Sequence, residues 1–146
     1  MELIIKKFDE LTPFELRDIY AARVSVFVVE QNCPYQEIDQ LDDKAYHLWY
    51  QEDGRILAYL RVIEAGYAFK EVAIGRVITL RRGEGLGLKL LKEGIDFAQK
   101  QYGTEKIRIE AQTYAKAFYE KAGFIQDSQE FLEDSIPHIE MIWKKQ

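Results

Sequence analysis

The chain has 146 residues, 47% of them apolar and 31% charged, the make-up of an ordinary folded protein rather than a disordered segment. Twenty lysines and arginines against 25 aspartates and glutamates give a net charge of -5, the wrong sign for a general nucleic-acid binder. A lone cysteine, Cys33, excludes an internal disulfide framework and a cysteine-based zinc cage. The N-terminal apolar stretch is too short for a signal peptide, and the densest apolar run, residues 24–29, is far below membrane-spanning length. A cytoplasmic protein with no membrane partner is expected. With no linker-like segment and no repeat, residues 1–146 are expected to form one domain.

Residues 3–8 read as a first strand. A helix start comes next: Thr12 can cap it, Pro13 suits its first position, and Glu15 completes a capping box. Leu16, Ile19, Tyr20, Val24 and Phe27 then recur at helical spacing, with Arg23 oddly inside the same stripe. Snorkelling, or pairing with a nearby carboxylate such as Glu30, is the expected fate of that arginine. Residues 33–44 read as a loop carrying Glu37, Asp39, Asp42 and Asp43, expected to be a solvated charge cluster. Residues 46–50 and 56–64 look like two strands joined at Asp53-Gly54, and residues 72–79 like a fourth.

A glycine-rich loop then leads into a helix whose apolar face runs Leu88, Leu91, Ile95, Ala98, Tyr102, with Gly103 as its stop. Residues 106–112 form a fifth strand, 115–122 a short helix, and residues 124–125 and 138–144 the last two strands. The order describes an α/β fold with a mixed, mostly antiparallel central sheet flanked by helices.

The most informative segment is Arg82-Gly83-Glu84-Gly85-Leu86-Gly87. Three alternating glycines lie between a strand end and a helix start. Glycine lets the backbone turn tightly and lets a ligand approach the main chain, and the free N–H groups of a helix start favour anions. Arg82 adds positive charge. The segment reads as a diphosphate cradle. A P-loop fits poorly because Leu88-Lys89-Leu90 offers no hydroxyl for a metal, and a G-x-G-x-x-G dinucleotide site because Leu90 stands where its third glycine belongs, leaving a nucleotide-binding domain as a rival reading of the loop.

The pattern R-x-x-G-x-G resembles the pyrophosphate motif of the GNAT superfamily of acetyl-CoA-dependent N-acetyltransferases. A second stretch, Gln112-Thr-Tyr-Ala115-Lys-Ala-Phe118-Tyr119-Glu-Lys-Ala-Gly123-Phe124, is similar to that family's N-x-x-A-x-x-[LF]-Y-x-x-x-G-F, with Gln112 replacing the asparagine. Residues 23–31, 33–37 and 133–138 resemble the ElaA-type subgroup, so the likeness covers nearly the whole chain. It implies a sheet splayed between the fourth and fifth strands and transfer of an acetyl group from acetyl-CoA to a primary amine by direct attack. A non-catalytic acyl-CoA-binding sensor is the alternative.

The resemblance also implies roles for residues. Backbone groups of Gly75, Arg76 and Val77 would pair with the pantetheine arm, the Val77 N–H donating to the thioester carbonyl. N–H groups across Arg82, Gly83, Glu84, Gly85, Leu86, Gly87 and Leu88 would hold the diphosphate, and Gln112 would stand in for the cofactor-contacting asparagine. Tyr119 matches the general acid; read without the family, it is a helix aromatic packed in the core beside Phe118. Glu110, Glu71 and His138 are candidate bases, with Arg108 a candidate partner for Glu110 on the same strand face. Cys33, far from both motifs along the chain, is not expected to act as a nucleophile. His47 and His138 come with no third ligand at a recognisable spacing, so no metal is expected. The chain is expected to work as a monomer or homodimer.

Overall fold

The computed structural model describes residues 1–146. Strand β1 (Glu2–Lys7) leads to helix α1 (Pro13–Val24). The capping box forms as its spacing dictates: Thr12 Oγ1 accepts from Glu15 N at 3.1 Å, and Glu15 Oε1 accepts from Thr12 N at 2.9 Å. Beyond Val24 the chain keeps winding, but as a wider π-helical segment, Ser25–Glu30. A 3-10 turn (Gln40–Lys44) precedes β2 (Ala45–Glu52) and β3 (Arg55–Ile63). These two join through Asp53 and Gly54 at φ 50° and 73°, the pair of positive values that a type I′ hairpin turn requires.

Next come β4 (Val72–Thr79), α2 (Leu86–Tyr102), β5 (Lys106–Gln112) and the short helix α3 (Lys116–Glu120). Strands β6 (Ile125–Gln126), β7 (Phe131–Glu133) and β8 (Ile136–Lys144) close the chain. The sheet runs β1-β2-β3-β4-β5-β8-β6, with β7 also on β8. Every pairing is antiparallel except β4 with β5. Three expectations need correction. The C-terminal part holds three strands rather than two, the last helix is shorter than expected, and Leu90 belongs to the buried face of α2 while Leu88 is half-exposed.

Strand alternation buries β2 and β3 on both faces. Leu48, Tyr50, Leu60 and Val62 pack with Leu90, Leu91 and Ile95 of α2. Trp49 and Tyr59 face the other way, onto Ile19 and Ala22 of α1. Each fully buried leucine here contributes about 1.5–3 kcal/mol. Gly94 lets α2 lie close to the sheet, since a Cβ there would sit 3.1 Å from Leu60 Cδ2.

Two irregularities in β4 break the regular course of the sheet. Its parallel pairing with β5 covers only Val72 with Ile107 and Ala73 with Arg108, after which the strands part. On the β3 side, Tyr59 pairs with Ile78 and Arg61 with Gly75, so Arg76 and Val77 together oppose Leu60. That is a β-bulge, and Arg76 sits at φ 52° within it.

Candidate active site

A cleft of about 1200 Å³ opens where β4 leaves β5. One wall is the β4 edge from Gly75 to Thr79 with the glycine loop and the start of α2. The other is the end of β5, the Thr113–Ala115 turn, α3 and the β7–β8 hairpin. Val26, Phe27, Glu30 and Gln31 of the π-helical segment line it as well.

The glycine loop is built for a ligand. Gly83 and Gly85 adopt φ 89° and 72°, and a Cβ on either would meet nothing within 4 Å. Backbone conformation, not crowding, requires glycine there. Gly85 caps α2 without a side-chain hydrogen bond, so the first N–H groups of the helix receive no acceptor from the cap. Leu86, Gly87 and Leu88 all line the cleft. Gly87 is required for a different reason: a Cβ there would overlap Thr79 Oγ1, so α2 could not start so close to the end of β4. An open, uncapped helix start facing the cleft fits a diphosphate.

Arg82 does not stand free beside this cradle. Its Nη1 and Nη2 donate to Glu30 Oε1 and Oε2 at 2.6 and 2.8 Å, and its Nε to the Thr79 carbonyl at 3.1 Å. The hydrogen bond and charge of Arg82 hold the Glu30 carboxyl below its usual range. Glu30 is therefore a carboxylate competing for the arginine expected to meet phosphate. Glu30→Gln is expected to tighten binding of a diphosphate-bearing ligand by about two- to fivefold at low salt, the gain fading as salt rises; titration with CoA at two ionic strengths checks this. The Glu84 side chain is outside the cleft, 2.8 Å from Arg81. Gln112 reaches across to Gln31, donating to its Oε1 at 3.0 Å, and Gln31 in turn donates to the Tyr114 hydroxyl at 3.3 Å.

Tyr119 lines the cleft from α3, its ring set edge-on against Phe118 at 5.1 Å and Phe124 at 5.9 Å. Its hydroxyl has no hydrogen-bond partner in the chain. Burial, with Tyr114 nearby, pushes the phenol above its ordinary value, so it stays protonated. The ring thus packs as the core reading expects, and the residue also lines the cleft.

With Ile107, Ile109 and Ala111 buried, β5 turns Glu110 to the cleft. Solvent reaches this side chain along the cleft, yet the surroundings disfavour its charge. Burial, a hydrogen bond with Glu133 and repulsion from Glu133 and Glu140 push its carboxyl up to about 7, against an opposing pull from Arg76. Arg108 is not its partner; it binds Glu71 at 3.1 Å, Glu140 at 3.0 Å and Asp127 at 2.7 Å. Glu71 is thereby held below its usual range and stands outside the cleft. His138 lines the cleft with Nδ1 2.7 Å from the Ile136 carbonyl. Since that oxygen only accepts, Nδ1 carries the hydrogen and Nε2 of the neutral ring is left as an acceptor.

Cys33 shows that distance along the chain is no guide to distance from the site. It is buried, lines the cleft and places Sγ 3.8 Å from the Asp134 carbonyl, 101 residues away. The loop carboxylates are equally unlike a solvated cluster. Arg23, fully buried, binds Glu37 Oε2 at 3.0 Å and Asp42 Oδ1 at 2.7 Å, not Glu30. Arg61 binds the same Asp42 oxygen at 2.9 Å and Asp39 Oδ1 at 2.7 Å. Burial opposes the charge on Asp39, but Arg61 and Arg76 hold its carboxyl below the usual range. His47 is buried beside this network, Nε2 on the Asp42 carbonyl and Nδ1 2.6 Å from the Tyr59 hydroxyl. No group of three or more His, Cys, Asp or Glu side chains is placed to hold a metal ion, and no helix is long and apolar enough to cross a membrane.

A sheet splayed after one parallel pairing, a bulged strand at the gap and an uncapped helix start facing it are the anatomy of a GNAT acyltransferase. The sequence model of the acetyltransferase (GNAT) domain matches residues 15–145, and the chain belongs to that family. It is 38% identical over 145 residues to a UPF0039 protein of Schizosaccharomyces pombe, covering 97% of this chain and 95% of that one. Protein ElaA of Escherichia coli is 36% identical over 137 residues, 90% of this chain and 89% of its own. The crystal structure of an acyl-CoA N-acyltransferase from Pseudomonas aeruginosa superposes with a TM-score of 0.91 at 36% identity, covering 98% of this chain and 99% of that one.

Proposed function

We propose that this protein transfers the acetyl group of acetyl-CoA to a primary amine by direct attack within a ternary complex. The observation that carries the reading is that the uncapped start of α2, the unpaired edge of β4, Tyr119 and Glu110 all line one cleft. The N–H groups of residues 83–88 bind the diphosphate, and the β4 edge pairs with the pantetheine arm. The amine nitrogen attacks the thioester carbon, the Val77 N–H steadies the oxygen as it gains charge, and the C–S bond breaks. Tyr119 gives its proton to the departing sulfur. Glu110, ionised, takes the proton the amine must lose. His138 Nε2 accepts from the amine's other N–H. Incubating the protein with acetyl-CoA and a panel of primary amines, with free CoA thiol as the readout, tests this. Amine-dependent thiol release is expected; release no faster than hydrolysis with every amine would refute it.

The pH profile has a definite sign. Below about pH 7 Glu110 is protonated and cannot accept a proton, so kcat/KM is expected to rise with pH through an apparent value near 7. Glu110→Gln is expected to remove that limb, whereas His138→Asn retains it. The same shift carries a stability consequence. The folded carboxyl is raised above the ordinary 4.5, so its contribution is fully present below about 4.5 and is lost as pH rises through about 7. Glu110→Gln is therefore expected to melt above the wild type at pH 8, a difference that shrinks at pH 5.

Direct attack needs no enzyme nucleophile. Cys33→Ala is expected to keep kcat within about twofold, with intersecting rather than parallel lines in two-substrate kinetics. Parallel lines together with an inactive Cys33→Ala would replace this scheme with an acyl-cysteine one.

A further inference from the structure

We propose that Arg76 is a positioning residue: its guanidinium, clamped by the 33–44 loop, holds the β4 bulge in the geometry that presents the Val77 amide to the cleft. The inference rests on the acetyl-transfer reading for what that amide meets, but not for the clamp itself.

Arg76 has φ 52°, a left-handed conformation that is unfavourable for any residue with a Cβ. Neither glycine nor asparagine occupies the position, so local sequence does not supply this turn. Something outside the strand must hold it. On the β5 side, pairing has already ended at Ala73, and on the β3 side two residues oppose Leu60 alone. What remains is the side chain.

That side chain is gripped from several directions. Nη2 donates to the Glu37 carbonyl at 2.8 Å and lies 3.3 Å from Asp39 Oδ2. Nε is 2.5 Å from Glu37 Oε2, an ion pair whose angle is too poor for a hydrogen bond. The guanidinium lies 5.9 Å from the Phe27 ring centroid and 5.8 Å from that of Tyr35. The clamping carboxylates are themselves fixed from the interior. Arg23, 0% exposed, holds Glu37, and Arg61, 3% exposed, holds Asp39, with Asp42 bridging the two arginines. A rigid chain of contacts thus runs from α1 and β3 to the bulge.

Ions rather than apolar side chains suit this task. A buried ion network adds little net stability over well-packed apolar groups, but its directional contacts fix position. A backbone donor that meets a developing oxyanion gains its effect from being held in place beforehand.

Arg76→Gly separates the clamp from the strain. Glycine accepts φ 52° without penalty, so if conformational tolerance were all that mattered, the bulge would be at least as well held. If the clamp holds it, the bulge loosens. Hydrogen–deuterium exchange of the ligand-free protein, corrected for intrinsic rates, is expected to accelerate about tenfold or more across residues 74–79 in Arg76→Gly, with α2 and β2 unchanged. Asp39→Asn weakens the clamp without altering any β4 residue and is expected to accelerate exchange at the same amides; it carries the test should Arg76→Gly fail to fold. Arg76→Lys keeps the charge without the planar fork and is expected to fall between. In turnover, Arg76→Gly is expected to lose kcat about tenfold with the KM for acetyl-CoA within about threefold. Unchanged exchange at 74–79 in Arg76→Gly or Asp39→Asn would overturn the proposal. Exchange that behaves as expected in a protein that acetylates no amine would leave the clamp standing and remove only the acetyl-transfer reading.

Discussion

Tyr119→Phe is expected to lower kcat by about 100- to 1000-fold while leaving acetyl-CoA affinity within about twofold. The substitution removes one oxygen and keeps the ring. The edge-on contacts with Phe118 and Phe124 survive, so the fold of α3 and the cleft wall are not disturbed. No hydrogen bond inside the protein is lost, because the hydroxyl has none. On the proposed reading, what disappears is the proton donor, a phenol that burial keeps protonated. On that reading the leaving thiolate then departs unprotonated, which is the step that slows. Single-turnover rates set against isothermal titration with acetyl-CoA separate the two quantities. A small loss of kcat would move the acid's role to another group or to water.

Asp42→Ala is expected to be the most destabilising single substitution in the 33–44 loop, costing about 3–5 kcal/mol. One buried oxygen of Asp42 serves both Arg23 and Arg61, at 2.7 and 2.9 Å. Alanine leaves two nearly inaccessible guanidiniums with only Glu37 and Asp39 to offset them, and water cannot easily reach Arg23. The asymmetry between making and breaking a buried pair governs the size: the network adds modest net stability when complete but is costly when a member is missing. For a chain of this length the loss corresponds to a fall in Tm of roughly 10–16 °C. Asp43→Ala, on the neighbouring exposed carboxylate, should stay within about 0.5 kcal/mol, which makes it the matched control in thermal denaturation.

The parts of the fold that read clearly from the sequence are those with local causes. Thr12, Pro13 and Glu15 specify a helix start through contacts three residues apart, and Asp53-Gly54 specifies a hairpin because both residues tolerate positive φ. The glycine loop is legible for the same reason. Where causes are distant, the sequence is silent or misleading. The β7–β8 turn uses Asp134 and Ser135 at φ 49° and 63°, with no glycine to mark it, so β7 leaves no local signature. The bulge at Arg76 is equally unmarked. Arg23 points along the sequence to Glu30, seven residues on, but its partners lie 14 and 19 residues away, on a loop that folds back across α1. Its place in the apolar stripe is the one available signal: a charge on a buried face implies a buried counter-charge, and the 33–44 loop holds the surplus carboxylates. Within the cleft, β5 alternation marks Glu110, whereas Glu133, Cys33 and the Glu30–Arg82 pair depend on tertiary approach alone.

All of the proposed chemistry depends on the main-chain amides at the start of α2 gripping the coenzyme's diphosphate in the gap between β4 and β5. A crystal structure of the protein with acetyl-CoA decides whether they do. Phosphate oxygens are expected within about 3 Å of backbone nitrogens among residues 83–88, with Arg82 released from Glu30 and the thioester carbonyl at the Val77 amide. Coenzyme bound elsewhere, with those amides facing solvent and the Glu30–Arg82 pair intact, would contradict it.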